Sequence, residues 1–361
     1  MSGDHLWRGR RVFITGHTGF KGSWLVTTLS AMGAELYGFA LPAPARGVFR
    51  AAQVEPLLAC STIGDIREPS GLAAALAASQ AEVVIHMAAQ PLVRFSYAEP
   101  VETYATNVMG TVHLLEAVRR TPSVRACVIV TSDKCYENNE WDWGYREIEP
   151  MGGYDPYSNS KGCAELVTSA YRRSFFSGEG AARVASGRAG NVIGGGDWSD
   201  DRLIPDLIRA FVAGETTAIR NPNAVRPWQH VLDPLFGYLA LAERLLAEDG
   251  APAADGWNFG PDAASERTVG EVVQAMAALW GPDARWQIIQ GEQPHEAGFL
   301  KLDSSKAKRL LGWRPVWPFD TALAETTAWY TAERDGADMA AFTRRQIAAY
   351  REFKTQLGVC A

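Results

Sequence analysis

The sequence predicts an α/β fold: a doubly wound parallel sheet followed by a smaller substrate-binding region. Three observations carry this. Short apolar runs alternate with stretches of helical periodicity up to about residue 190. A glycine turn, TGHTGFKG, separates the first apolar run from the first helical stretch. Tyr157 and Lys161 stand four apart, just after Asp155 and Pro156, at the start of a later helix.

Bulk properties narrow the class. With 361 residues, 47% hydrophobic and 21% charged, the chain can bury one large core or two merged ones. A net charge of −6 gives no reason to expect nucleic-acid binding, so any phosphate site has to be local. No apolar run is long enough to span a bilayer, and the N-terminus lacks a signal-peptide core; a cytoplasmic protein with no membrane partner is expected. Cys60, Cys127, Cys135, Cys163 and Cys360 lack metal-ligand spacing. They read as free thiols of a reducing compartment, and no metal is expected.

The first strand is expected at 10–15 and a helix at 20–32, stopped by Gly33. The turn between them aims backbone N–H groups at a pyrophosphate, the Rossmann-type arrangement for a dinucleotide. Its candidate cofactor residues are Gly16, Thr18, Gly19, Phe20, Lys21 and Gly22, with Lys21 either on phosphate or solvated at a helix start. A second strand at 35–40 runs into Leu41-Pro42-Ala43-Pro44. Neither a ribose carboxylate nor an arginine for a 2′-phosphate stands there, and the reading tips toward NAD over NADP. Residues 41–56 read as loop. A short third strand ends at 62–66, where Asp65 either meets an adenine amino group or serves the next helix. That helix is the alanine-rich 71–79. The buried strand 83–87 leads to Ala88, Ala89 and Gln90, where small side chains let a cofactor approach the backbone. His86 reads as packed. The segment 103–120 has helical periodicity, with Asn107 facing the site or bonding nearby backbone.

The strand at 126–130 delivers Thr131, Ser132, Asp133 and Lys134 to the carboxyl end of the sheet, where open parallel sheets bind ligands. Residues 136–154 form a polar, aromatic loop placed to cover a substrate. In the helix from 157 to about 176, Tyr157 and Lys161 share a face. An ammonium beside a phenol, helped by the positive helix end, favours phenolate. Bringing the phenol near neutrality takes about 4 kcal/mol of differential interaction and makes a base for an alcohol proton. A strand at 184–189 follows. Beyond 190 the alternation weakens to helices at 203–213, 235–246 and 269–279, a short strand and turn at 257–260, and an amphipathic helical end. Lys306, Lys308 and Arg309 read as a solvated face of a short basic helix. Arg220 and Arg226 are candidates for a substrate phosphate, which guanidinium binds bidentately. Residues 1–190 are expected to form the NAD-binding, catalytic domain. Residues 191–361 would mainly hold substrate, with a stretch near 225–250 returning to the core.

TGHTGFKG, HMAAQ, YDPYSNSK and GRAGNVIGGGDW, in this order, resemble the extended short-chain dehydrogenase/reductase family. RPWQHVLD and KLDSSKAKRLLGW fit its later segments, so the resemblance covers nearly the whole chain. Within that family, TSDKCY resembles the strand end of the nucleotide-sugar 4,6-dehydratases. There Asp then Glu is usual; here Asp133 precedes Lys134. The resemblance implies a lyase that uses NAD to convert CDP-glucose to CDP-4-dehydro-6-deoxyglucose and water. It also implies a homodimer, or a dimer of dimers, joined through helices that include 103–120 and 157–176.

Roles implied by the resemblance follow. Tyr157 takes the sugar 4-hydroxyl proton, Lys161 supports it and holds the nicotinamide ribose, and Ser132 hydrogen-bonds the same oxygen. Asp133, protonated, serves the departing 6-hydroxyl. Lys134 takes the C5 proton, which requires it to be neutral, or only orients a water. Ala88, Ala89, Gln90, Asn107 and Thr131 line the cofactor, with Asp65 and Ile66 at the adenine. Asn191 contacts the sugar diphosphate and Arg226 clamps the pyrophosphate; Arg94, Arg202, Arg220 and His230 complete the substrate set. The rivals are dehydration of GDP-mannose or dTDP-glucose, a 4-epimerase or plain oxidoreductase, and a dinucleotide-sensing protein without turnover. Asp133-Lys134 argues against an epimerase, which needs no elimination pair.

Overall fold

A computed structural model describes residues 4–219, 221–289 and 299–359. After a short helix α1 (Asp4–Trp7), the chain builds β1 (Arg11–Thr15), α2 (Phe20–Ala31), β2 (Glu35–Ala40), α3 (Val48–Ala51), β3 (Cys60–Ile63), α4 (Pro69–Ser79) and β4 (Val83–His86). Helices α5 (Val93–Ala98), α6 (Pro100–Tyr104) and α7 (Gly110–Arg119) lead to β5 (Ala126–Val130), α8 (Pro156–Phe175) and β6 (Arg183–Arg188). The second half holds β7 (Val192–Ile193), α9 (Leu203–Ala213), β8 (Thr216–Ile219), β9 (Val225–Pro227), β10 (Gln229–His230), α10 (Leu232–Leu246) and β11 (Gly256–Asn258). It ends with β12 (Glu266–Thr268), α11 (Val269–Trp280), β13 (Arg285–Ile288), α12 (Ser305–Leu310), α13 (Phe319–Arg334) and α14 (Met339–Gln356).

Seven strands form one parallel sheet in the order β11-β6-β5-β4-β1-β2-β3. The chain reverses its direction of travel between β1 and β4, and a crevice opens there beyond the strand ends. Both faces are covered, so the inner strands are apolar throughout rather than alternating with polar residues. In β1, Val12 and Ile14 enter the core shared with Trp24, Leu25 and Leu235, while Phe13 enters the one holding Leu72, Leu114 and Val184. The expected doubly wound sheet is thus present. Its edge strand β11 and the helix α10 against β5 and β6 come from the second half of the chain.

Local chemistry explains the element ends. Asp155 caps α8 by accepting from the Ser158 amide at 2.9 Å, and Pro156 occupies the first turn. Thr268 and Glu271 form a reciprocal capping box on α11. Several expectations need correction. The third strand stops at Ile63, leaving Asp65 and Ile66 beyond it. Residues 41–56 contain α3 and a 3₁₀ turn at Glu55–Leu57. The 103–120 helix is interrupted by a π turn at Ala105–Met109. Lys306 and Lys308 are not simply solvated: Lys306 pairs with Asp255 and lies 4.4 Å from the Trp257 ring centroid, and Lys308 pairs with Asp262. Among the described residues, no helix is long and apolar enough to cross a membrane.

Candidate active site

The glycine turn closes tightly on its neighbour loop. Gly16 has φ +76°, and a Cβ there would lie 2.8 Å from the Ala88 amide nitrogen. Thr18 ties the turn to the end of β2 by donating to the Leu41 carbonyl at 2.9 Å. Gly19, Phe20 and Gly22 open α2, whose first amides are without helical acceptors. This side-chain-free cradle at a helix N-terminus fits a pyrophosphate.

The second wall is the turn after β5. Ser132 caps a 3₁₀ turn at Asp133–Cys135, its hydroxyl accepting from the Lys134 amide at 3.3 Å. The same hydroxyl donates to Asp133 Oδ1 at 2.9 Å. Asp133 is buried, and burial pushes its carboxyl up, against the charges of Lys134 and Arg226 and the bond from Ser132. A Cβ on Gly190 would lie 2.6 Å from Asp133 Oδ2, so the acid occupies space that any other residue at 190 would fill.

The third wall is α8. Tyr157 and Lys161 are both buried, with the ammonium 6.0 Å from the phenol ring centroid. Their placement on one face is as expected; their electrostatics are not. Burial pushes the Tyr157 phenol up to about 12, against a hydrogen bond with Ser132 and the charge of Arg202, while Asp133 and Asp155 add to the rise. Burial also lowers Lys161 to about 8. Desolvation of the phenol outweighs the cations that the protein itself supplies.

Lys21 is not a solvated helix-start lysine. Its ammonium lies 5.8 Å from the Tyr238 ring centroid and is lowered to about 7 by burial, Arg202 and Lys161, with Asp133 opposing. Arg202 pairs with Asp197 at 3.1 Å. Arg226 donates to the Val225 carbonyl at 2.9 Å and its charge reaches Asp133. Asn191 lies just before β7, its carbonyl accepting from the Gln229 amide at 3.2 Å.

Other candidates are placed differently. His230 is fully buried edge-on to Trp24 and Trp317, a core residue that faces no substrate. Arg94 forms an exposed pair with Asp201. The Asp65 carboxylate is held by Arg67, and the Ile66 side chain packs against Gly110. The Thr131 hydroxyl donates to buried Glu165 beneath the site. Asn107 accepts from the Gln90 amide at 2.8 Å and donates to the Gln90 carbonyl and Ser160, so it fixes the post-β4 loop. The Gln90 amide group is likewise engaged with Thr103 and the Leu92 amide. Arg220 lies outside the described residues. The 136–154 loop is anchored by a Tyr136–Tyr145–Trp141 stack and by the Tyr145 bridge to Leu302.

The sequence reading missed a buried network below the turn. Glu165 accepts from Thr131, Ser186 and Arg188, and Arg188 also donates to the Tyr136 hydroxyl. Glu165 stands four residues after Lys161, on the same helix face, which is the signal that marks it. Tyr238 was missed as well, and nothing in its surroundings along the chain marks it.

Comparison with known proteins agrees with this geometry. The family model described as GDP-mannose 4,6 dehydratase matches residues 13–326. The chain is 53% identical over 361 residues to the CDP-glucose 4,6-dehydratase of Salmonella typhimurium, covering 99% of this chain and 100% of that one. The dTDP-glucose 4,6-dehydratase DesIV of Streptomyces venezuelae, solved with NAD bound, superposes with a TM-score of 0.76 at 26% identity, over 91% of this chain and 99% of that one. A glycine cradle, a Ser-Asp-Lys turn and a Tyr/Lys helix at the carboxyl ends of the inner strands, with the family model and a full-length relative matching the chain, show that it belongs to the nucleotide-sugar dehydratase and epimerase family.

Proposed function

We infer that this protein is an NAD-dependent hydro-lyase that converts CDP-glucose to CDP-4-dehydro-6-deoxyglucose and water. The observation that carries the reading is the buried acid of Asp133, set between Ser132 and Lys134 and facing the Tyr157 helix. Oxidation at C4 alone needs no such acid; loss of the 6-hydroxyl does. The 53% identity to a CDP-glucose 4,6-dehydratase supports the same substrate.

When bound, NAD supplies a hydride acceptor that is regenerated within each cycle. The glycine turn and the Ala88-Ala89 backbone would hold it, with Lys161 at its ribose. The remaining steps belong to this chain. Tyr157 takes the proton of the sugar 4-hydroxyl, and Ser132 hydrogen-bonds that oxygen. Burial keeps the phenol protonated against the protein's own cations, and the positive charge of bound NAD would favour the phenolate this step needs. Lys134 takes the C5 proton, which the 4-ketone acidifies, and later returns it to C5. Asp133 gives its proton to the departing 6-hydroxyl, and its burial favours the protonated form this requires. Arg226 and Arg202 are the cations for the sugar diphosphate.

Residues 1–190 supply the cofactor cradle and the reacting groups, and residues 191–361 mainly the nucleotide-sugar contacts. Two copies pair through the helices spanning 103–120 and 157–176. Exposed Val101, Met109, Leu166 and Phe175 on and beside those helices supply an apolar face, and light scattering on the full chain tests the pairing. The reaction is tested by incubation with CDP-glucose, dTDP-glucose and GDP-mannose in turn. A 4-keto-6-deoxy product from CDP-glucose is expected; no keto product from any of them overturns the assignment.

A further inference from the structure

The reaction above leaves two polar groups at the site unused. Lys21 is the second residue of α2, and its side chain turns from the glycine cradle toward α10, where its ammonium lies 5.8 Å from the Tyr238 ring centroid. Among the described residues it makes no hydrogen bond and no ion pair. Tyr238 is 0% exposed, and its hydroxyl has no hydrogen-bond partner among the described residues either. A hydroxyl buried without a partner destabilises a fold, and an apolar ring in its place does not.

Both groups stand beside the acid turn. The Tyr238 ring lies against Gly187 near the carboxyl end of β6, where a Cβ would come within 2.8 Å of it, and the Gly187 carbonyl accepts from the Thr131 amide at 2.9 Å. The pair therefore lies between the cradle that fits a pyrophosphate and the turn that carries Asp133. Beyond its pyrophosphate and ribose, the nicotinamide half of the cofactor has one polar group left, the carboxamide. That group offers an acceptor oxygen and a donor NH2. Lysine supplies donors, and a phenol oxygen accepts as well as donates, so the two inventories match. Burial and the charges of Arg202 and Lys161 lower the amine to about 7, with Asp133 opposing, which spares a cationic pyridine ring a full like charge.

We propose that Lys21 and Tyr238 are the binding pair for the nicotinamide carboxamide, the lysine donating to its oxygen and the phenol oxygen accepting from its NH2. The cofactor then satisfies two groups that the protein alone leaves unpaired. Their polarity works against the empty fold and in favour of the loaded one. The inference rests on the NAD reading above.

Calorimetric titration and thermal unfolding of the full-length chain, freed of nucleotide, test it with wild type, Lys21→Met and Tyr238→Phe. The probes are NAD, ADP-ribose, which lacks the nicotinamide, and 3-acetylpyridine adenine dinucleotide, whose methyl ketone lacks the NH2. Empty, each variant should melt at or above the wild-type temperature, because each has lost an unpaired polar group. Each should bind NAD about three- to tenfold more weakly, the worth of one hydrogen bond. ADP-ribose should bind alike to wild type and both variants. The acetylpyridine analogue should bind alike to wild type and Tyr238→Phe, and more weakly to Lys21→Met. If ADP-ribose is weakened as much as NAD, the pair serves the phosphates and the proposal is wrong. If the variants melt lower when empty and hold NAD as wild type does, both residues are structural and the proposal is equally wrong. A wild-type chain that binds no NAD instead removes the cofactor reading, and the pair's role with it.

Discussion

Arg188 Nη2 lies 2.8 Å from Glu165 Oε2, and each of these side chains is 5% exposed. The pair sits directly under the Thr131–Ser132 turn and joins α8 to β6. Burial alone would raise the Glu165 carboxyl; the Arg188 charge and the bonds from Arg188, Ser186 and Thr131 outweigh it and hold the group below the usual carboxylate range. Its folded value therefore lies below its unfolded one. The stabilisation is complete above the ordinary carboxylate range and is lost as pH falls through the folded value. Glu165→Gln leaves the guanidinium uncompensated. A loss of about 3–5 kcal/mol is expected. Urea unfolding at neutral pH measures it, and the variant should lack part of the wild-type stability change in acid.

Tyr157→Phe removes the reacting hydroxyl and keeps the ring. Turnover should fall by at least about 10²–10⁴-fold, the range for a lost acid–base group. Stability should change by only about 0.5–1.5 kcal/mol, one hydrogen bond. Unfolding midpoints beside turnover numbers separate the two; near-normal turnover would take the base role away from Tyr157.

Lys134→Ala keeps the phenol, its ammonium neighbour and the acid. Oxidation at C4 should proceed and elimination should stop. Mixing the NAD-loaded variant with CDP-glucose should then leave reduced nicotinamide absorbance standing at near one per site. Full keto product formation would show that another group takes the C5 proton.

Gly190→Ala places a methyl where the Asp133 carboxylate lies, 2.6 Å from Oδ2. The carboxylate has to move, because real Cβ contacts are never that short. The expected result is a fall in kcat of about tenfold or more with KM little changed, since the acid acts only on the departing hydroxyl. Accumulated reduced nicotinamide, as in the Lys134 variant, would place the defect at elimination.

The sheet was legible because its strands are short, apolar and separated by helical periodicity, and because Gly16 and Gly19 sit between a strand and a helix. The Tyr157 helix was legible from Asp155 and Pro156. Strand β11 was legible as a short strand near 257, but its place at the sheet edge beside β6 was not, since three residues, Gly256–Asn258, carry no signal of which strand they pair with. The electrostatics of Tyr157 were misread for a physical reason. Spacing places Lys161 near the phenol, but desolvation depends on everything packed around it, and that sum decides the sign. His230 and Arg94 show the same limit from the other side. Their residue types suit a diphosphate, yet one lies among tryptophans and the other on the surface.

The widened turn at Ala105–Met109 makes this stretch sensitive to length rather than to side-chain identity. Such a turn holds one more residue than the helix on either side. Deleting a single residue here lets the helix close into regular winding: the two flanks keep their register, and the residues inside the turn change the face they present. Asn107 would then swing away from both Gln90 and Ser160. Chain-length drift that an outer loop absorbs without effect would, at this one place, unhook the loop after β4 from the helix that carries Tyr157.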